Sequence, residues 1–459
     1  MITKYDYAVI GAGPAGYVSA IKAAEKGLKT VVIEKGEDRL GGVCLNEGCI
    51  PAKSLFNSAK IFELLVREAD LLKIKDVKAD TASFAEKARK SSEILRKGVA
   101  FLFKKHGITL IVGDAKFEKK DVIRVASPSG GTRDVEASKI LIATGSSPRG
   151  LKELPFDGKR VLSSSDIIFS KDVPKNILII GGGAIGVEFA VYLSTVGSDV
   201  SVLEKEERLI PSFDQEISRT IETELKKKGI KIFTSAFLKR AEVKEDGIDV
   251  DIERDGKTES VKYEKVLVSV GRKPNTTGLG LEEIGIKTDK DGFIEVSADV
   301  ETNIKNIFAA GDVTRSPMLA HLASSEGRAA AIRASGVRSE KIDLSSVPNV
   351  VYTEPQAAGI GQTETEAISS GKEILVGKHF FRANGKAVLS SQPEGFIKII
   401  VDKKTRKFLG VYIVGAEAGE LIHEFVLAKR MGLTADDVAG TIHAHPTLSE
   451  IAGDVCRSV

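Results

Sequence analysis

The chain has 459 residues, 42% hydrophobic and 29% charged, which is the composition of a folded globular protein of about three domains. Its 67 Lys and Arg nearly balance 64 Asp and Glu, and a net charge of +3 argues against a dedicated nucleic-acid surface. No apolar run approaches the ~18–20 residues of a membrane span, and three cysteines exclude a disulfide-framework protein.

Met1–Tyr7 lead directly into a strand predicted over 5–10, leaving no room for a signal or transit peptide, so a cytoplasmic location is expected. Gly11-Ala-Gly-Pro-Ala-Gly16 follows, then a helix over 17–26, a stop at Gly27 and a second strand over 30–33 with Glu34 at its end. This is a dinucleotide-binding fingerprint. Gly11 allows the tight turn, Gly13 lets the backbone approach a pyrophosphate, and Gly16 lets the helix pack on the strand. Glu34 is in reach of a ribose. The same design recurs at Gly181-Gly-Gly-Ala-Ile-Gly186, between a strand over 177–180 and a helix over 187–196, with Glu204 after the returning strand 199–203. Gly181, Gly183 and Gly186 take the three glycine roles. One such run is a weak signal, but two in strand–turn–helix–strand context, each with a terminal acid, predict two nucleotide sites.

Two further strands end in glycine, at Gly145 and Gly271. They flank the second fingerprint and are expected to be where the chain leaves and re-enters the first domain. A strand over 304–310 ends at Gly311-Asp312, and Asp312, at a strand end, is a candidate ligand-binding residue. From about Val347 the pattern changes to strands over 350–352, 396–401 and 409–414, then helices over 418–431 and 434–438, which predicts a separate α+β domain.

Between the fingerprints stands Gly41-Gly-Val-Cys-Leu-Asn-Glu-Gly-Cys-Ile-Pro-Ala-Lys53. Cys44 and Cys49 close too short a loop to stabilise much: the chain-entropy estimate is about 2 kcal/mol. A disulfide needs Cα atoms about 5.5–6 Å apart, whereas residues i and i+5 of a regular helix lie about 8.7 Å apart. The backbone between them must therefore break from helix, with Gly48 supplying the freedom and Pro51 starting or restarting the helix. Zinc would need further Cys or His ligands, and none is close in sequence. Two nucleotides beside two close thiols imply electrons moving between a nicotinamide, a flavin and a disulfide. The first site, next to the cysteines, suits FAD. The second suits NAD, because Glu204 accepts a ribose 2′-OH and repels a 2′-phosphate, although Lys205 and Arg208 nearby work against that preference.

The Gly41–Lys53 segment resembles the redox-active segment of the FAD-dependent pyridine nucleotide–disulfide oxidoreductases. Similar matches occur at Ala143–Gly145, Gly271–Asn275, Phe308–Asp312 and Tyr352–Pro355, so the resemblance covers essentially the whole chain. His443-Ala-His-Pro-Thr-Leu-Ser-Glu450 is similar to the C-terminal segment of the branch that acts on lipoyl groups; Val43 departs from the Thr common there.

The resemblance implies an α/β fold of two Rossmann-like domains plus an α+β interface domain. FAD would be held by residues 1–145 and 272–346, and NAD by 146–271. Residues 347–459 would form the interface of a homodimer. It implies that Cys44 is the thiol that exchanges with substrate and Cys49 the thiol against the flavin. Lys53 would lie near the flavin N5 and pair with Glu188. Thr144, Gly145, Asp312 and Ala320 would join the FAD site and Gly271 the NAD site. His445 would be the general base acting on the other subunit's disulfide. Its ordinary pKa near 6.5 suits that task, and Glu450 would orient its ring. His443 is expected to be structural and Cys456 inert.

The activity implied is oxidation of dihydrolipoyl groups with NAD, in partnership with the lipoyl domain or E2 core of a 2-oxo acid dehydrogenase or glycine cleavage complex. Alternatives are a nicotinamide-dependent reductase of another disulfide, or a docking subunit with a structural flavin.

Overall fold

The computed structural model describes residues 3–339 and 341–459; Met1 and Ile2, part of the predicted lead-in, lie outside the described residues. The first fingerprint strand runs Thr3–Ile10 at the centre of a seven-stranded sheet, ordered Thr109–Val112, Thr30–Glu34, Thr3–Ile10, Thr132–Ile142, Val122–Ala126, Asp114–Lys119. Ile307–Ala309 pairs in parallel with the end of Thr132–Ile142. Tyr7, Ala8, Val9, Val31 and Val32 are fully buried, because helices and the antiparallel arm cover both faces. One covering pair is Pro14–Glu25 and Ala320–Ala334, which cross so closely that a Cβ at Gly327 would lie 2.1 Å from the Ala15 carbonyl oxygen.

The second fingerprint strand, Asn176–Ile180, is central to an all-parallel five-stranded sheet ordered Lys231–Phe233, Asp199–Leu203, Asn176–Ile180, Lys265–Val268, Val161–Leu162. A three-stranded antiparallel sheet, residues 236–263, packs beside it. The two units are joined by an antiparallel pair, Ser146–Pro148 with Arg272–Pro274, immediately after Gly145 and Gly271. Thr144 and Asn275 lock it: the Thr144 hydroxyl donates to the Asn275 carbonyl at 2.7 Å, and Asn275 Nδ2 donates to the Thr144 carbonyl at 3.0 Å.

The C-terminal sheet is antiparallel, ordered Asn349–Val351, Gln356–Gly361, Phe408–Gly415, Phe396–Asp402, Ile374–Phe380, with Ala418–Met431 on one face and Gln215–Lys227 against the other. Two of these strands were not anticipated. Gln356–Gly361 lacks the β-branched signature because Tyr412 lies over it; a Cβ at Gly359 would sit 2.6 Å from that ring. Ile374–Phe380 is an edge strand whose Gly377 makes room for Ser458 and Val459. The long helices Cys49–Arg67 and Thr81–Lys105, which pack on each other, were also not delimited by sequence. No described helix is long and apolar enough to cross a membrane.

Candidate active site

The two fingerprints have the same geometry. Gly11 and Gly181 adopt φ +99° and +110°, and a Cβ at either would strike a backbone carbonyl of the next strand, Ala143 at 2.4 Å and Ser269 at 2.5 Å. The third glycines serve the turn itself rather than only helix–strand packing. A Cβ at Gly16 or Gly186 would lie 1.9 Å from the carbonyl oxygen of Gly11 or Gly181. Each terminal acid braces its own turn. Glu34 accepts from the Ala12 amide at 2.7 Å and the Lys35 amide at 2.8 Å; Glu204 accepts from Gly182 at 2.6 Å and Glu206 at 2.9 Å. A carboxylate has about four acceptor positions, so each retains capacity for ribose hydroxyls.

Cys44 lies on the short helix Gly42–Asn46 and Cys49 opens the helix Cys49–Arg67. The break falls at Glu47-Gly48, with Gly48 at φ −142°, ψ −118°. The second helix starts two residues before Pro51, which occupies its first turn, where a missing N–H costs nothing. The cysteine segment is pinned to the first fingerprint backbone on backbone: a Cβ at Gly42 would lie 2.6 Å from Gly13 Cα.

A cavity of about 780 Å³ connects these parts, towards the upper end of the roughly 300–1,000 Å³ usual for ligand sites. Gly11, Gly13, Glu34, Cys44, Cys49, Lys53, Thr144, Gly145, Glu188, Asp312 and Ala320 all line it. Gly16 lies behind the turn. Gly181, Gly183, Gly186, Glu204 and Gly271 are not among the lining residues, but Ile185, Glu188 and Phe189 are. The helix that begins at the second fingerprint, Ala184–Thr195, thus extends from one nucleotide turn to the wall of the thiol cavity.

The thiols are free and electrostatically unequal. The interaction with the neighbouring Cys49 thiol, and then burial, push Cys44 far above the ordinary thiol range. The same interaction, aided by the Lys53 ammonium and against the effect of burial, holds Cys49 below it. Lys53 is itself fixed. It donates to Glu188 at 2.8 Å and stands over the Tyr352 ring at 4.7 Å, while the Tyr352 amide donates to the other Glu188 oxygen at 2.9 Å. Burial opposes the Lys53 charge, but the Glu188 carboxylate outweighs it and keeps the ammonium protonated. Cys456 is 1% exposed and pushed up to about 12 by burial, with none of this activation.

Several groups in the site carried no assignment from sequence. Arg272 donates to the Ser146 hydroxyl at 2.7 Å and its carbonyl at 2.8 Å, and that hydroxyl donates to Asp312 at 2.6 Å. Buried Glu326 accepts from the Gly311 amide at 2.7 Å. Both fix the strand end that presents Asp312. Arg272 and Tyr352 fall within the family-like runs, which was their only signal.

His445 is elsewhere. Its side chain is 77% exposed, and its Nδ1 lies 2.9 Å from Glu450, which also accepts from the Thr447 amide at 2.8 Å. Among the described residues, those lining the thiol cavity include neither His445 nor Glu450. His443, only 10% exposed, is tied to Glu424 at 2.9 Å and faces away from solvent.

Two sheet-based nucleotide units with a close thiol pair between them define a flavoprotein disulfide oxidoreductase. The chain belongs to the pyridine nucleotide-disulphide oxidoreductases: the model of that family matches residues 5–327, and the model of its dimerisation domain matches residues 347–455. It is similar to the dihydrolipoyl dehydrogenase of Geobacillus stearothermophilus, 39% identical over 97% of this chain and 94% of that one. It is also similar to that of Trypanosoma brucei brucei, 38% identical over 100% and 97%. Among solved structures it is similar to LpdA from Mycobacterium tuberculosis, with TM-score 0.91 and 27% identity over 98% and 99% of the chains. The HOCl-induced flavoprotein disulfide reductase RclA from Escherichia coli has TM-score 0.87 and 27% identity over 99% and 100%. The family uses FAD and NAD. The cavity fits a flavin nucleotide, since a fingerprint turn, a ribose-reaching carboxylate and a thiolate-forming cysteine all open onto it.

Removing the Lys53 charge has a defined consequence. In Lys53→Met the Cys49 thiol loses a cation that lowers its pKa. The thiolate–flavin absorbance of the two-electron-reduced enzyme should then appear only at higher pH than in the parent. A spectroscopic pH titration checks this; an unmoved midpoint would show that Lys53 does not act on the thiolate.

Proposed function

We propose that this chain oxidises dihydrolipoyl groups to lipoyl groups and reduces NAD. The observation that carries this reading is that Cys44, Cys49 and the Lys53–Glu188 ion pair line one cavity together with residues of both nucleotide units. The net reaction is dihydrolipoamide + NAD⁺ → lipoamide + NADH + H⁺. We assign FAD to residues 1–145 and 272–346, NAD to 146–271 and the interface to 347–459.

In the oxidised enzyme the two cysteines form a disulfide. A substrate thiolate attacks Cys44, the Cys44–Cys49 bond breaks, and Cys49 leaves as the thiolate that Lys53 stabilises. The second substrate thiol then displaces Cys44, which closes the lipoyl ring. His445, with its ring held by Glu450, takes the protons these attacks release. Bound FAD supplies the two-electron chemistry that connects the thiolate side of the cavity to NAD. Gly11, Gly13, Glu34, Thr144, Gly145, Asp312 and Ala320 hold FAD; Gly181, Gly183, Gly186, Glu204 and Gly271 hold NAD. The partner is the lipoyl domain or E2 core of a 2-oxo acid dehydrogenase or glycine cleavage complex. A cytosolic setting, which keeps thiols reduced, suits a disulfide that must be cycled.

The reading is tested by steady-state kinetics with free dihydrolipoamide against NAD. Turnover with a kcat/KM far above that for other dithiols is expected. A preference for reducing a different disulfide from NADH or NADPH would replace this reading.

Glu204 sets the nucleotide choice by repelling a 2′-phosphate. NAD should therefore be favoured over NADP in kcat/KM, and Glu204→Gln should narrow the gap by about 1–3 kcal/mol. Parity between NAD and NADP in the parent enzyme would refute this.

A further inference from the structure

Within the strand Phe396–Asp402, the buried run Phe396–Val401 is apolar except at Lys398, whose side chain is only 2% exposed. Its ammonium is held by three carboxylates: Asp214 at 3.0 Å, Glu216 at 2.8 Å and Glu364 at 2.6 Å. Glu364 belongs to the C-terminal unit, but Asp214 and Glu216 belong to the unit of the second fingerprint. Lys378 of the edge strand also reaches Glu216. A buried ion cluster is a poor source of stability, because desolvation costs about as much as the attraction returns, and apolar residues of like volume often serve better. Its presence within an otherwise apolar run points to a geometric role.

That role follows from what Asp214 holds. It caps the helix Gln215–Lys227, accepting from the Glu216 amide at 3.0 Å, and its other oxygen accepts from the Glu364 amide at 3.3 Å. It also ends the loop that begins after Glu204. Within that loop Ile210 sits at φ +41°, a left-handed conformation rare for a β-branched residue, so its surroundings must impose it. They do so from both sides. The Ile210 amide donates to the Gly182 carbonyl at 2.8 Å, inside the fingerprint turn, and its carbonyl accepts from the Phe213 amide at 3.0 Å, next to Asp214. Phe213 in turn stacks edge-on against Tyr412 of the C-terminal sheet, with ring centres 6.4 Å apart. A continuous set of contacts thus leads from Lys398 to the turn braced by Glu204.

We propose that Lys398 is a positioning residue for the NAD site, holding the loop 205–213 and the second fingerprint in their binding geometry from across the boundary between two sheets. This rests on the assignment of NAD to that fingerprint. Lys398 touches neither the thiols nor the flavin cavity, so its influence is confined to the nucleotide side of the reaction.

The test compares the parent and Lys398→Met holoenzymes. NADH affinity is measured by titration, KM by steady-state assay with NAD, and the thiol side by anaerobic bleaching with dihydrolipoamide. NADH affinity and the KM for NAD should worsen by at least about fivefold, the lower end of coupling between separated sites. The bleaching rate should match the parent, and Lys398→Arg should recover most of the loss. Unchanged NADH affinity in a folded, flavin-loaded Lys398→Met enzyme would overturn the proposal, as would an equal fall in both half-reactions. If Lys398→Met does not retain flavin, Asp214→Asn, which keeps the cap and removes the charge, is read in the same way. A parent enzyme that fails to bind NADH would sink the nucleotide assignment and this inference with it, whereas equal tight binding by parent and variant sinks this inference alone.

Discussion

Mixing an inactive Cys44→Ser chain with an inactive His445→Gln chain, followed by joint unfolding and refolding, is expected to restore roughly a quarter of parental activity. The reason is where the structure puts His445: 77% exposed, oriented by Glu450, and outside the cavity that contains Cys44 and Cys49. A general base must come within hydrogen-bond reach of the proton it takes, about 2.6–3.2 Å. A dimerisation domain matches residues 347–455, and in the proposed mechanism the imidazole that serves each thiol pair would come from the other subunit. A heterodimer then contains one site with both lesions and one with neither. Random pairing makes about half of the dimers mixed, as expected for a closed two-fold assembly. If each site were built within one chain, every site would keep a lesion and no activity would return. A monomer fully active at nanomolar concentration would also exclude the shared site.

The two cysteines should separate sharply on substitution. Cys49→Ser is expected to abolish the thiolate–flavin charge-transfer absorbance on two-electron reduction, whereas Cys44→Ser keeps a form of it. Both variants should lose turnover by several orders of magnitude, because covalent exchange through the disulfide is removed outright. The asymmetry follows from the local field: the neighbouring Cys44 thiol and the Lys53 ammonium both favour the negative charge on Cys49, whereas Cys44 is pushed the other way. Loss of the band in Cys44→Ser with retention in Cys49→Ser would reverse the order of the thiols.

Both fingerprints were legible in the sequence because they are written locally: their strands fall within two residues of the expected bounds, although each helix begins three residues earlier than expected. Each turn needs glycine within a six-residue span, and each strand beside it is a short apolar run. The apolar strands that precede Gly145 and Gly271 were legible for the same reason. What was not legible depends on partners far away in sequence. Gln356–Gly361 does not read as a strand until Tyr412 is seen lying over Gly359. The stretch 396–401 reads as a strand, but Lys398 within it gains meaning only from Asp214, 184 residues earlier. The bracing of Asp312 by Ser146 and Arg272 joins three segments, and Tyr352 over Lys53 joins two. Chemistry-bearing motifs are local, whereas the groups that hold them in register are not.

The central claim is that electrons leave a dihydrolipoyl group through Cys44 and Cys49 and arrive on NAD. It is tested most directly by anaerobic rapid mixing of the oxidised holoenzyme with one equivalent of dihydrolipoamide, then with NAD, while recording full spectra. The expected result is prompt appearance of the thiolate–flavin band in the parent, one equivalent of NADH on adding NAD, and neither event in Cys44→Ser. Flavin reduction by dihydrolipoamide at the parental rate in Cys44→Ser, or a reduced parent enzyme that yields no NADH, would contradict it.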